Sequence, residues 1–170
     1  MKKNKNDTPL QTPDTSFKWE DYKNHHQFSK IGEITFGPNT KGNEKIFFNP
    51  IEKDRRALVY AIVVGGYLQK IGKTIATMKG RTQSYDCGKD KYRFTNGTCS
   101  TTNWFIRSTL KLWHDAGHTI EIFAYHMQPT LVEYDFGEFR KDFCDPKELE
   151  KTILKGLKED GRFPVLCTQR

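Results

Sequence analysis

Leu58 to Val64 is a nearly unbroken apolar run, followed at once by Gly65-Gly66 and a second short stretch, Tyr67 to Gly72. Such a run suits a strand buried on both faces. The glycine pair is a turn signal, so the second stretch returns beside the first as a hairpin. Register then decides which side chains share a face. A two-residue turn would pair Val64 with Tyr67 and put Tyr60 and Lys70 on opposite faces. A three-residue loop, Val64 to Gly66, with a glycine in the left-handed conformation pairs Tyr60 with Lys70, and this is the register expected.

Downstream, a helix is predicted over about Ile75 to Asp86, weakened by Gly80. Gly88 to Ser100 is an excursion with an Asn96-Gly97 turn signal. Thr101 or Thr102 can cap a second helix, in which Ile106, Leu110 and Trp113 share a face and which Gly117 ends. Thr119 to Met127 alternates as a third strand. Glu133 to Cys144, with Tyr134, Phe136, Phe139 and Phe143, suits either an apolar interface or core packing. Asp145-Pro146-Lys147-Glu148 reads as N-cap, proline at N1 and glutamate at N3, a strong helix start. Upstream, residues 1 to about 16 read as a flexible arm and 17–30 as a short helix. Ile34-Thr35-Phe36 and Lys45-Ile46-Phe47-Phe48 read as two short strands around a loop. The class is α+β, divided into an arm and hairpin (1–56) and a core (57–170) with an insertion at 88–100.

A chain of 170 residues fits one domain. Its formal charge of +7 favours a polyanionic partner, nucleic acid ahead of a membrane surface. No stretch approaches the ~20 apolar residues of a transmembrane helix. The Met-Lys-Lys-Asn-Lys-Asn start lacks the apolar segment of a signal peptide, so a cytoplasmic protein is expected. Cys87, Cys99, Cys144 and Cys167 form no Cys-x-x-Cys pair, which argues against a zinc ribbon or redox motif and for free thiols.

Several groups stand out chemically. On a helical wheel with Leu149 at 0°, Ile153 falls at about 40°, Leu157 at about 80° and Leu154 at about 140°, so Glu150 at about 100° lies inside the apolar arc. Glu148 points away. A carboxylate on a core-facing stripe is costly unless paired or bound to a metal, although one at the helix edge can snorkel to solvent. Arg81 and Tyr85 stand four apart and share a helical face, as a surface pair or as a phosphate grip. Tyr60 is a core aromatic or a reactive phenol. Lys70 is an edge-strand lysine, or a group that orients or deprotonates water; Lys73 follows as a second phosphate contact.

The order Val59-Tyr60, Lys70-Ile71-Gly72, Arg81, Tyr85 and a helical Leu149-Glu150 resembles the GIY-YIG nuclease superfamily, over about residues 58 to 160. Its compact type II restriction endonucleases are the most similar group. The first motif lacks the family's glycine, and Lys70 stands where the family has its second tyrosine. The resemblance implies a three-stranded antiparallel sheet flanked by helices in the order ββααβα, with an N-terminal extension and a recognition insertion. It also implies one Mg²⁺ on Glu150, with Arg81 on the phosphoryl oxygens. Tyr60 and Lys70 flank the attacking water, one as base and the other as orienter. Tyr85 contacts the phosphate or that water, with Lys73 in support. Products would carry a 5′ phosphate and a 3′ hydroxyl. Sequence reading would fall to additions, above all Lys89, Lys91, Tyr92, Arg93 and Asn96. Double-stranded DNA is the expected partner and a two-fold homodimer the expected form, with no organic cofactor and no membrane. A nicking nuclease of repair or homing type, or a catalytically silent DNA-binding module, is the alternative.

Overall fold

Every residue from Leu58 to Val64 is at most 1% exposed, because strand β3 (Arg56–Val64) lies inside a sheet covered on both faces. The computed structural model describes residues 8–87, 100–127, 130–134, 137–141 and 146–167. Their elements run β1 (Ser29–Pro38), β2 (Glu44–Pro50), β3, β4 (Tyr67–Thr77), α1 (Met78–Asp86), α2 (Thr101–Asp115), β5 (Ile120–His126), β6 (Thr130–Tyr134), β7 (Gly137–Lys141) and α3 (Pro146–Glu159). Leu58, Tyr60 and Ile62 pack with Met78, Tyr85, Ile106 and Trp113 on one face. Val59, Ala61 and Val63 pack with Trp19, Phe28, Ile153 and Leu157 on the other. No helix among the described residues is long and apolar enough to cross a membrane.

The class is α+β, with more sheet than the three strands expected. β1 to β5 form one antiparallel sheet in the order β2-β1-β5-β3-β4. The upstream hairpin joins it because β1 pairs with the side of β5 that would otherwise be an open edge. β6 and β7 form a separate two-stranded sheet. Phe136 and Phe143 lie outside the described residues.

The expected turn is corrected. Val64 pairs with Tyr67 across a two-residue turn in which Gly65 and Gly66 have φ of 58° and 83°. Two consecutive glycines allow the left-handed pair of conformations that matches strand twist. Tyr60 and Lys70 still share a face, because the register slips: Val63 faces Leu68 and Ile62 faces Lys70, leaving Gln69 as the extra residue of a bulge. Tyr60 therefore faces Gly72, not Lys70. The bulged side chain is held by the N-terminal segment. Asp14 N–H donates to Gln69 Oε1 at 2.9 Å, and Gln69 Nε2 donates to Asp14 O at 2.7 Å. Residues 8–18 are thus docked rather than a free arm: Leu10 N–H donates to Thr109 Oγ1, Leu68 N–H to Phe17 O and Trp19 N–H to Gly66 O. The short helix expected in 17–30 is a pair of 3₁₀ turns, Trp19–Asp21 and His25–Gln27.

Helix starts also differ locally. β4 continues to Thr77, whose pairing with Arg56 outlasts the helical pattern, so α1 begins at Met78 rather than Ile75. Thr77 Oγ1 caps Gly80 N–H, while Asp54 accepts from Met78 and Lys79 N–H groups, both at 2.8 Å. Ser100, rather than either threonine, caps α2 by accepting from Asn103 N–H. These caps set the orientation of α1, and with it Arg81 one turn in.

Candidate active site

β4 is an edge strand, and four consecutive residues of it, Lys70, Ile71, Gly72 and Lys73, line one cleft of about 200 Å³. Neighbouring strand residues point to opposite faces, so the cleft wraps around the sheet edge and collects groups from both layers. Tyr60 and Arg81 enter from the α1 side, Thr102 from α2, Glu150 and Leu154 from α3, and Cys167 from the C-terminal segment.

Tyr60 crosses directly over Gly72: a Cβ there would lie 2.5 Å from the phenol Cζ and Oη. Only glycine allows this ring position, which explains the residue type at 72. The Tyr60 oxygen lies 2.6 Å from Tyr85 Oη and receives Arg81 Nε–H at 3.2 Å. The Arg81 guanidinium lies over the Tyr85 ring, 4.6 Å from its centroid, and Nη1 donates to Ser84 Oγ. Burial opposes the Arg81 charge, but the Tyr60 and Tyr85 oxygens outweigh it and hold the group above its usual pKa. Tyr85 is fully buried behind the cleft; burial, then the Tyr60 oxygen, raise its phenol well above the ordinary value despite Arg81. It touches the site through Tyr60 and does not line the cleft.

Glu150 is 8% exposed on the buried face of α3, whereas the side chain of Glu148 is 71% exposed and pairs with Lys151. Glu150 has no ion pair within 4.0 Å among the described residues, although Lys70, Lys73 and Arg81 all act on it electrostatically. Burial wins over these cations and raises its carboxyl above the usual range. The native state therefore binds this proton more tightly than the unfolded chain. Stability from this group is fullest below the ordinary carboxylate range and is lost as pH rises through the raised value. Glu150→Gln is accordingly expected to raise the Tm of the metal-free protein at neutral pH. That gain should vanish below the reference value of about 4.3; melts across a pH series would show it, and an unchanged Tm at pH 7 would contradict it.

Among the described residues no cluster of three or more His, Cys, Asp or Glu exists to cage a metal. Glu150 is the single carboxylate lining the cleft among the described residues. A cation here would take one protein oxygen and complete its shell with water and substrate phosphate, which is how Mg²⁺ is commonly held. The donor set fits that ion.

The cleft brings together Tyr60, Lys70, Lys73, Arg81 and Glu150, with Tyr85 behind them. Lys89, Lys91, Tyr92, Arg93 and Asn96 lie outside the described residues. Sequence reasoning missed Thr102 and Cys167 as cleft residues. Nothing local signals either, since Cys167 meets Ile71 across 96 positions.

Among solved structures, the restriction endonuclease HPY188I in complex with product DNA is similar over 100% of this chain and 98% of its own, at 30% identity and a TM-score of 0.68. This chain belongs with the DNA-cleaving nucleases, on the fold of a restriction endonuclease. A mutant of bacteriophage T4 EndoII is similar in fold over 82% of this chain and 95% of its own, at 18% identity and a TM-score of 0.55. No protein-family model matches the chain, and no curated protein matches it.

Proposed function

We propose that this chain is a Mg²⁺-dependent restriction endonuclease of the GIY-YIG type, hydrolysing double-stranded DNA at a specific sequence to leave 5′ phosphates and 3′ hydroxyls. The observation that carries this reading is the cleft itself. Lys70, Lys73 and Arg81 converge with the Glu150 carboxylate and the Tyr60 phenol. Three cations attract a phosphodiester, and the carboxylate adds a place for a divalent ion.

Arg81 donates Nε to Tyr60 and Nη1 to Ser84, and its guanidinium faces the cleft, where it meets a phosphoryl oxygen. Its plane is held by the Tyr85 ring, so the guanidinium arrives oriented. Tyr60 acts as the base in its phenolate form: its oxygen takes the proton of the attacking water and becomes a neutral phenol. That oxygen has a hydrogen-bond partner on each side, Arg81 at 3.2 Å and Tyr85 at 2.6 Å, and both stabilise the negative charge it carries before the transfer. Tyr85, kept as a neutral phenol by burial, can donate. Lys70 orients the water, and Lys73 contacts the phosphate. Glu150 would hold a Mg²⁺ ion, which would supply charge neutralisation at the phosphate and the leaving oxygen.

Base reading falls to the 88–100 segment with Lys89, Lys91, Tyr92, Arg93 and Asn96, and a two-fold homodimer acts in the cytoplasm on both strands. Plasmid digestion with Mg²⁺, followed by end sequencing, tests all of this. Discrete bands with one recurring site are expected. Nicked circles alone would favour a strand-nicking enzyme, and binding without cleavage a silent module.

A further inference from the structure

We propose that Cys167 is a positioning residue for Lys70, acting through the β4 main chain and the Leu166 carbonyl. The inference rests on the nuclease reading for its effect on rate. As an edge strand, β4 has outward N–H and C=O groups that require partners. The C-terminal segment supplies them on both sides of Lys70. Leu166 N–H donates to Gln69 O at 3.0 Å. Ile71 N–H donates to Cys167 Sγ at 3.4 Å, and the thiol donates back to Ile71 O at 3.2 Å. One thiol thus stands in for the missing neighbour strand.

The same clip reaches the lysine head group, since Lys70 Nζ donates to Leu166 O at 3.3 Å. Leu166 is fully buried in the core, so that carbonyl is a fixed anchor. Cys167 N–H closes a turn onto Pro164 O, completing the clip. Burial, stronger here than the nearby Lys70 charge, holds the thiol above its ordinary pKa and keeps the S–H that Ile71 O accepts. A long lysine side chain has much rotamer freedom to lose. Fixing the backbone on either side and the tip removes that freedom before substrate arrives.

The test compares wild type, Cys167→Ala and Cys167→Ser in two assays. In the first, trace acetylation with peptide mass spectrometry reads the reactivity of Lys70 against Lys73. Cys167→Ala is expected to label several-fold faster at Lys70 with Lys73 unchanged. In the second, Cys167→Ala is expected to lower kcat by about tenfold with KM for DNA unchanged. Cys167→Ser, whose hydroxyl both donates and accepts, restores most of both. Cys167 is partly buried and packs against the Ile71 and Leu154 side of the core, so melts of both variants separate lost packing from lost positioning. Wild-type labelling of Lys70 in Cys167→Ala overturns the inference, as does equal impairment of the alanine and serine variants. Absence of cleavage by wild type would overturn the nuclease reading, and the labelling would still decide the clip.

Discussion

Glu150→Gln is expected to abolish DNA cleavage, lowering kcat by about 10³-fold or more, while DNA binding persists. The substitution keeps shape and removes the negative charge of the one carboxylate that lines the cleft among the described residues. A metal held largely by substrate phosphate and water depends on that single protein oxygen. Losing it withdraws several kcal/mol of charge stabilisation, and each 1.36 kcal/mol is tenfold in rate. Binding survives because Lys70, Lys73 and Arg81 remain, now without an opposing carboxylate. Cleavage of a plasmid under Mg²⁺ and fluorescence anisotropy of a labelled duplex separate the two. Near wild-type cutting would refute the assignment of Glu150.

Gly72→Ala is expected to reduce cleavage by about 10²-fold and to destabilise the fold by about 1–3 kcal/mol. The added Cβ would stand 2.5 Å from Tyr60 Cζ and Oη, well inside contact distance. The ring has nowhere to yield. It is fully buried, its oxygen is tied to Tyr85 and Arg81, and its own backbone pairs with Gly72. Relief must displace the phenol, which also shifts Arg81, or open the β3–β4 ladder. Steady-state cleavage with a thermal melt measures both effects. Unchanged kcat with a lowered Tm would show that the Tyr60 position is structural and not catalytic.

Several features followed from local rules. An apolar run bounded by two glycines specifies a buried strand and a turn, and Leu58 to Val64 is such a strand. The helical period separates Glu150 from Glu148, and their burial differs accordingly. The four-residue spacing of Arg81 and Tyr85 puts guanidinium over ring. Each depends only on the geometry of one element and residues a few positions apart.

What local rules could not decide depends on distant partners. The register parity that puts Lys70 on the face of Tyr60 comes from a bulge at Gln69, whose side chain is held by Asp14, 55 positions away. β1 and β2 joined the sheet because β5 had an edge to cover. Cys167 entered the cleft because β4 had one too. The sequence by itself determined the buried hairpin and the faces of its helices, through periodicity. The tertiary structure alone decided how the hairpin is registered and what closes the cleft, because unpaired backbone groups at a sheet edge are satisfied by whichever segment the whole fold brings there.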